Sequence, residues 1–283
     1  MTQPAIIDHA IPDKEEVRAE WTSRAHYWDR WADQVADMAD RFNAPLLDAL
    51  ELRPGQRVLD LACGTGEPAL SAARRVAPGG HVVATDLVPA MLDSVRRRAG
   101  DLGIANLTCE QADMERLPFS DARFDRATCR FGIMFVPDAI GALREARRVL
   151  APGGRMGLLV WGPIEDTTIM TAIRAAARKV LGADGRQFEH PFRFGAEGAL
   201  DTALRAAGFQ AVKERALRFT PEIPADRPFW QPMLEMTLGA RIDGAGADAR
   251  ARLDGEIHTQ LAGYLDGDRY RFQVHVRLAT GAA

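Results

Sequence analysis

Short apolar runs and amphipathic stretches alternate through the middle of this chain. The run RVLDLA (57–62) is aliphatic at most positions, the pattern of a strand buried on both faces. HVVATD (81–86), LTCEQAD (107–113), FDRATCRF (124–131) and RMGLLVW (155–161) read the same way. Between them lie GEPALSAARRVA (66–77), VPAMLDSVRRRAGDLG (88–103) and PDAIGALREARRVL (137–150). These space their apolar residues three and four apart, as helices do, and stop at glycine or Pro-Gly-Gly. Strands alternating with helices at this spacing predict βαβ units and a parallel sheet covered on both faces.

The flanks follow a different rhythm. Residues 14–50 mix aromatic and aliphatic positions at helical spacing. After Trp161 the pattern predicts helices over 167–182, 198–209, 226–244 and 251–265, with an irregular segment at 184–195 and a strand near 211–219. RYRFQVHVRLATG (269–281) alternates cleanly and predicts a terminal strand. The expected organisation is a core of 51–161, completed by 199–221 and by a last strand within 267–283. Residues 1–50, 162–198 and 222–266 form a helical cap over the carboxyl ends of the strands, where open α/β sheets bind ligands.

Composition narrows the classes. The chain has 283 residues, 47% hydrophobic and 27% charged, with a formal net charge of −3. No basic stripe suggests nucleic acid, and no apolar run is long enough to span a membrane. The first residues lack the basic-then-apolar pattern of a secretory signal. Cys63, Cys109 and Cys129 have no metal-ligand spacing, and no metal is expected. The expectation is a cytoplasmic protein, with oligomerisation left open.

The chemistry concentrates in VLDLACGTGEPAL (58–70). A strand ends in a Gly64-Thr65-Gly66 turn that opens into a helix. Glycines allow positive φ and close backbone approach, so neither Gly64 nor Gly66 is expected to have room for a side chain beside a ligand. Helix amides then face that ligand with free donors. The second strand ends in Asp86, placed to accept both hydroxyls of a ribose. Gly64-x-Gly66-x-x-Ala69 also fits the dinucleotide fingerprint, which alone is weak. Asp60 inside the motif opposes a pyrophosphate and suits a ligand bearing an ammonium or sulfonium. Asp113, at the end of the third strand, is placed to accept from an adenine amino group.

Four segments carry a resemblance: VLDLACGTGEPAL, VVATDLVPAMLDSVRRRA, EQADMERLPFSDARFDRATCRFGIMFVPD and RVLAPGGRMGLLVW. In order and spacing they resemble the motifs of class I S-adenosylmethionine-dependent methyltransferases, nearest the ubiquinone/menaquinone-biosynthesis C-methyltransferase type. The resemblance is strong over about 20–161. It implies a Rossmann-like, mostly parallel seven-stranded sheet of order 3-2-1-4-5-7-6, its last-numbered strand antiparallel, and S-adenosylmethionine as cofactor. By the same resemblance Asp60 faces the methionine amino group through nearby backbone and a water, while Ala62, Gly64 and Gly66 give close approach. Asp86 binds the ribose, Leu87 and Met91 flank the adenine, Asp113 takes its amino group, and Met114 offers its amide. Arg130 and Phe131 lie by the methionine moiety, and Tyr27 is a candidate contact for its carboxylate.

The implied activity is methyl transfer to an O, N or C atom of a small apolar or aromatic molecule. His26 and His190 are the candidate general bases, since imidazole titrates near neutrality. Trp21, Trp28, Trp31, Phe188, Phe192, Phe194, Phe229 and Trp230 are core or an apolar substrate pocket. The rival readings are an NAD-dependent oxidoreductase and a non-catalytic S-adenosylmethionine-binding regulator.

Overall fold

A computed structural model describes residues 12–183 and 190–283. The central sheet contains β1 (Arg57–Leu61), β2 (His81–Asp86), β3 (Leu107–Gln111), β4 (Phe124–Arg130), β5 (Leu150–Trp161), β6 (Gln210–Phe219) and β10 (Val274–Ala282). Their order is β3-β2-β1-β4-β5-β10-β6. β1 to β5 run parallel, and β10 is antiparallel to both β5 and β6. The seventh strand of the sheet is therefore inserted antiparallel beside the fifth, as expected.

Helices α2 (Ala69–Val76), α3 (Pro89–Asp101), α4 (Ala139–Val149) and α6 (Ala199–Ala206) cover the sheet. Leu59, Ala127, Met156 and Leu158 share one apolar cluster with Ala142, Leu143 and Leu204. Val58, Val82 and Ala84 share another with Ala72, Ala73 and Val95. Burial of these continuous runs on both faces is the main stabilising term for the core.

Residues 14–50 form one helix, α1 (Lys14–Ala49), rather than several. It starts at a capping box: Asp13 Oδ1 accepts from the Glu16 amide at 2.9 Å, and Glu16 accepts from the Asp13 amide at 3.2 Å. Its last turns bury Leu46, Leu47 and Leu50 completely. Gly157 of β5 makes room for them; a Cβ there would lie 2.9 Å from both Leu46 Cδ1 and Leu50 Cδ1.

A second layer holds α5 (Thr168–Leu181), α7 (Gln231–Ala245) and α8 (Ala247–Leu261). With it goes a small sheet of β7 (Glu222–Pro224), β8 (Leu265–Asp266) and β9 (Arg269–Arg271), in the order β7-β9-β8. The expected terminal strand over 269–281 is thus two strands. Phe229 lies against Tyr270 at 5.3 Å and stacks on Phe272 at 5.4 Å, which draws the first part into the cap. Phe192, Trp230, Tyr270 and Phe272 are buried in one cluster with α5, α7 and α8. Phe194 packs in the cluster under β4 and β5. Phe192, Phe194 and Trp230, read as core or pocket, are core; Phe188 lies outside the described residues.

Alternation in β10 does not mean a wet face. All but its last residue are buried. Arg277 donates to Glu214 at 3.0 Å and to the Gly195 carbonyl at 2.7 Å, and His275 Nδ1 lies 2.8 Å from Asp166. The polar positions are absorbed by buried pairs, as a central strand requires.

Helix α7 meets α1 at Gly239, where a Cβ would come within 2.5 Å of Tyr27 Cε1 and Cζ. Gly239→Ala gains up to about 1 kcal/mol of helix propensity. Overpacking against the ring costs about 1–3 kcal/mol, and the ring is pinned by its hydroxyl, so the clash wins. Thermal unfolding of this variant is expected at a lower midpoint. An unchanged or higher midpoint would show that α1 and α7 separate without cost.

Candidate functional site

The site begins where β1 ends. The backbone turns sharply there, with positive φ at Ala62 (50°), Gly64 (53°) and Gly66 (114°). The two glycines serve different ends. A Cβ on Gly66 would lie 2.8 Å from Leu70 Cδ1 and 3.4 Å from Arg98 Nη1, so its constraint comes from its own helix and from α3. A Cβ on Gly64 would meet nothing within 4 Å. At Gly64 the protein itself demands only left-handed φ, and the space above it opens into the cavity.

Asp86 closes the turn. Its Oδ2 accepts from the Gly64 amide at 2.9 Å and its Oδ1 from the Val88 amide at 2.9 Å. Each oxygen keeps further acceptor capacity toward the space above. Burial raises its carboxyl above the ordinary value, opposed by the Val88, Gly64 and Leu87 amides.

That space is an open-mouthed cavity of about 1120 Å³. That volume includes the solvent-filled mouth of the cavity. Its floor includes Ala62, Gly64 and Asp86; one wall includes Leu87, Met91, Asp113 and Met114; the other includes Arg130 and Phe131. Its roof is α1, which presents Val17, Trp21, Trp28, Ala32 and Val35 along one helical face. Trp21 packs edge-on against Phe135 at 4.9 Å. Phe131, itself at φ 57°, stacks on Trp161 at 4.4 Å.

Several expected residues are not on this wall. Asp60 is fully buried below the turn. Its Oδ1 accepts from Thr128 at 2.6 Å, and its Oδ2 has no hydrogen-bond partner among the described residues. Desolvation pushes its carboxyl up to about 7, against the pull of Thr128 and Arg130. Gly66 also lies off the wall. Tyr27 is 2% exposed and donates its hydroxyl to Asp243 of α7, so the structure directs it into the cap rather than toward a ligand. His26 is exposed and rests on Tyr27, and His190 sits in a short turn after the undescribed segment. Neither histidine reaches the cavity wall. Trp31 donates to Glu235 at 2.7 Å instead of facing the cavity.

Three ionisable groups on the wall were not anticipated. Lys14, in the first turn of α1, lies 2.6 Å from Asp113 and 2.5 Å from Glu115. The hydrogen bonds to both acids raise the pKa of its ammonium. Asp113, expected to face an adenine, is thus also an anchor for the roof. Glu67 follows the glycine turn; its Oε2 accepts from Ser71 at 2.7 Å and from Asn43 of α1 at 2.8 Å. Only the Glu67–Ser71 spacing of four residues hinted at this in sequence; the other contacts span distant segments. Arg130 donates from Nε to the Glu67 carbonyl at 3.1 Å. Among the described residues no group of three or more His, Cys, Asp or Glu is placed to hold a metal, and no helix is long and apolar enough to cross a membrane.

Comparison with known proteins agrees with this geometry. A family described as a methyltransferase domain matches residues 58–154. An uncharacterised protein of Mycobacterium tuberculosis is 38% identical over 155 residues, covering 53% of this chain and 54% of that protein. The chain thus spans about half the length of that relative. A ubiquinone/menaquinone biosynthesis C-methyltransferase of Edwardsiella ictaluri is 36% identical over 176 residues, covering 58% of this chain and 70% of that enzyme. The YcgJ protein of Bacillus subtilis superposes with a TM-score of 0.57 at 22% identity, covering 85% of this chain and 97% of that one, and shows the shared fold. By these matches, and by its sheet and its glycine turn, the chain belongs to the class I S-adenosylmethionine-dependent methyltransferases, of the ubiquinone/menaquinone-biosynthesis C-methyltransferase type.

Proposed function

We propose that the cavity binds S-adenosylmethionine and that the protein transfers its methyl group to an O, N or C atom of a small apolar or aromatic molecule. The observation that carries this reading is Asp86, held by two backbone amides beside a turn that leaves open space over Gly64. A diol is the natural partner of a carboxylate so presented. The surroundings also disfavour a dinucleotide. Glu67 and Asp86 stand beside the turn, where a pyrophosphate would add further negative charge. A ligand with an ammonium and a sulfonium is the better electrostatic match.

When bound, S-adenosylmethionine supplies a sulfonium-activated methyl group that an electron-rich atom displaces in line. The chain's part is positioning and exclusion of water. Asp86 orients the ribose, Leu87 and Met91 offer apolar contact for the adenine, and Asp113 and the Met114 amide offer it polar contact. Arg130 provides positive charge for the methionine carboxylate. The indoles of Trp21 and Trp28, with Phe131 and Phe135, offer an apolar surface to the acceptor. No general base is assigned: the acids on the wall are engaged in hydrogen bonds, and among the described residues no histidine lies there. Acceptors that are already ionised, or that react at an electron-rich carbon, suit such a site.

Asp86→Ala removes charge-assisted hydrogen bonds worth about 1.5–3 kcal/mol, so affinity for S-adenosylhomocysteine is expected to fall about tenfold or more by calorimetric titration. Unchanged affinity would remove Asp86 from the site.

The proton balance at Asp60 gives a second expectation. Its folded pKa, about 7, lies above the unfolded value of about 3.9. Its contribution to stability is therefore complete below about pH 3.9 and is lost as pH rises through about 7. Asp60→Asn keeps an acceptor for Thr128 and has no charge to bury. Relative to this variant, the ligand-free protein is expected to lose thermal stability between about pH 5 and about pH 8. Parallel pH profiles would show that Asp60 is ionised throughout.

A further inference from the structure

We propose that the methionine end of the cavity is a zwitterion clamp in which Glu67, not Asp60, receives the ammonium group, with Arg130 beside it for the carboxylate. This rests on the cofactor reading above and deepens it.

The argument starts from access. Asp60 is fully buried and off the cavity wall, and its Oδ1 is already bound by Thr128. Glu67 is on the wall, with a side chain only 9% exposed. Its Oε2 is held by Ser71 and Asn43, whereas its Oε1 has no hydrogen bond among the described residues and faces Arg98 Nη2 at 3.9 Å, with Arg130 as a further nearby charge. One carboxylate oxygen fixes the group and the other keeps acceptor capacity. An ammonium needs up to three acceptors. Asn43, 1% exposed and off the wall, steadies the Glu67 carboxylate from behind by donating to it.

Arg130 completes the pair. It is partly buried on the same wall, and the only hydrogen bond of its guanidinium among the described residues runs from Nε to the Glu67 carbonyl. A partly desolvated guanidinium with its fork unclaimed is a carboxylate site. Glu67 and Arg130, joined through that carbonyl, thus present opposite charges side by side, the complement of an α-amino acid. Asn43 also makes the clamp sensitive to α1, since the residue that steadies Glu67 belongs to the roof.

The test separates the two halves of the ligand. S-adenosylhomocysteine carries the amino acid; 5′-methylthioadenosine keeps the nucleoside and lacks it. By calorimetric titration, Glu67→Gln is expected to lower affinity for S-adenosylhomocysteine about tenfold and to leave methylthioadenosine within about twofold. Ser71→Ala keeps the charge but loosens it, and should weaken S-adenosylhomocysteine by a smaller factor while sparing methylthioadenosine. Equal losses for both ligands in both variants would make Glu67 a structural part of the turn and overturn the assignment. So would unaltered binding in Glu67→Gln together with a selective loss in Asp60→Asn. An unaltered protein that binds neither nucleoside overturns the function and this assignment with it.

Discussion

Two hydrogen bonds from backbone amides to one carboxylate hold this site together. Asp86, at the end of β2, accepts from Gly64 in the turn after β1 and from Val88 at the start of α3. They lock two adjacent βα connections into one rigid ledge. The ledge fixes the direction of the Gly64 amide, the level of the cavity floor and the place of Leu87 and Met91. Because the acceptor is a partly buried carboxylate, each of these charge-assisted bonds is strong. The lone pairs left over are aimed by the same geometry that holds the turn.

Above that ledge, α1 does two jobs with different chemistry. Its C-terminal turns are core, with Leu46, Leu47 and Leu50 against β5. Its longer N-terminal part is tied down by polar contacts: Lys14 to Asp113 and Glu115, Asp29 to Ser94 and Arg97, and Asp33 to Arg98. On the cap side Glu235, only 4% exposed, accepts from Arg30, Trp31 and Arg250. A carboxylate so buried is tolerable only because donors from α1 and α8 surround it. The N-terminal part also packs Trp21, Ala25 and Trp28 against Val88 and Met91, so the roof is held by apolar contacts along its length and by ion pairs toward its N-terminus.

The sheet was legible in sequence because β1 to β5 are apolar runs separated by helical periods, a pattern with few competing solutions. The resemblance placed Asp86, Arg130 and the glycine turn where the cavity forms. Other expectations failed for definite reasons. Alternation at 269–281 suggested one strand, but Phe229 diverts residues 269–271 into the cap, while in the remaining strand Arg277 and His275 find buried partners. Tyr27, in an aromatic segment, turned toward Gly239 because a helix has several faces and sequence does not say which neighbour each will meet. Lys14 and Glu67 could not be read beforehand, since their roles come from partners distant in sequence, Asp113 for one and Asn43 for the other.

The central claim is that this turn, with acids beside it, selects a cationic nucleoside over a dinucleotide. Calorimetric titration of the purified protein with S-adenosylhomocysteine and, separately, with NAD tests it directly. Stoichiometric binding of S-adenosylhomocysteine with no heat from NAD is the predicted result. Binding of NAD without binding of S-adenosylhomocysteine would contradict the account.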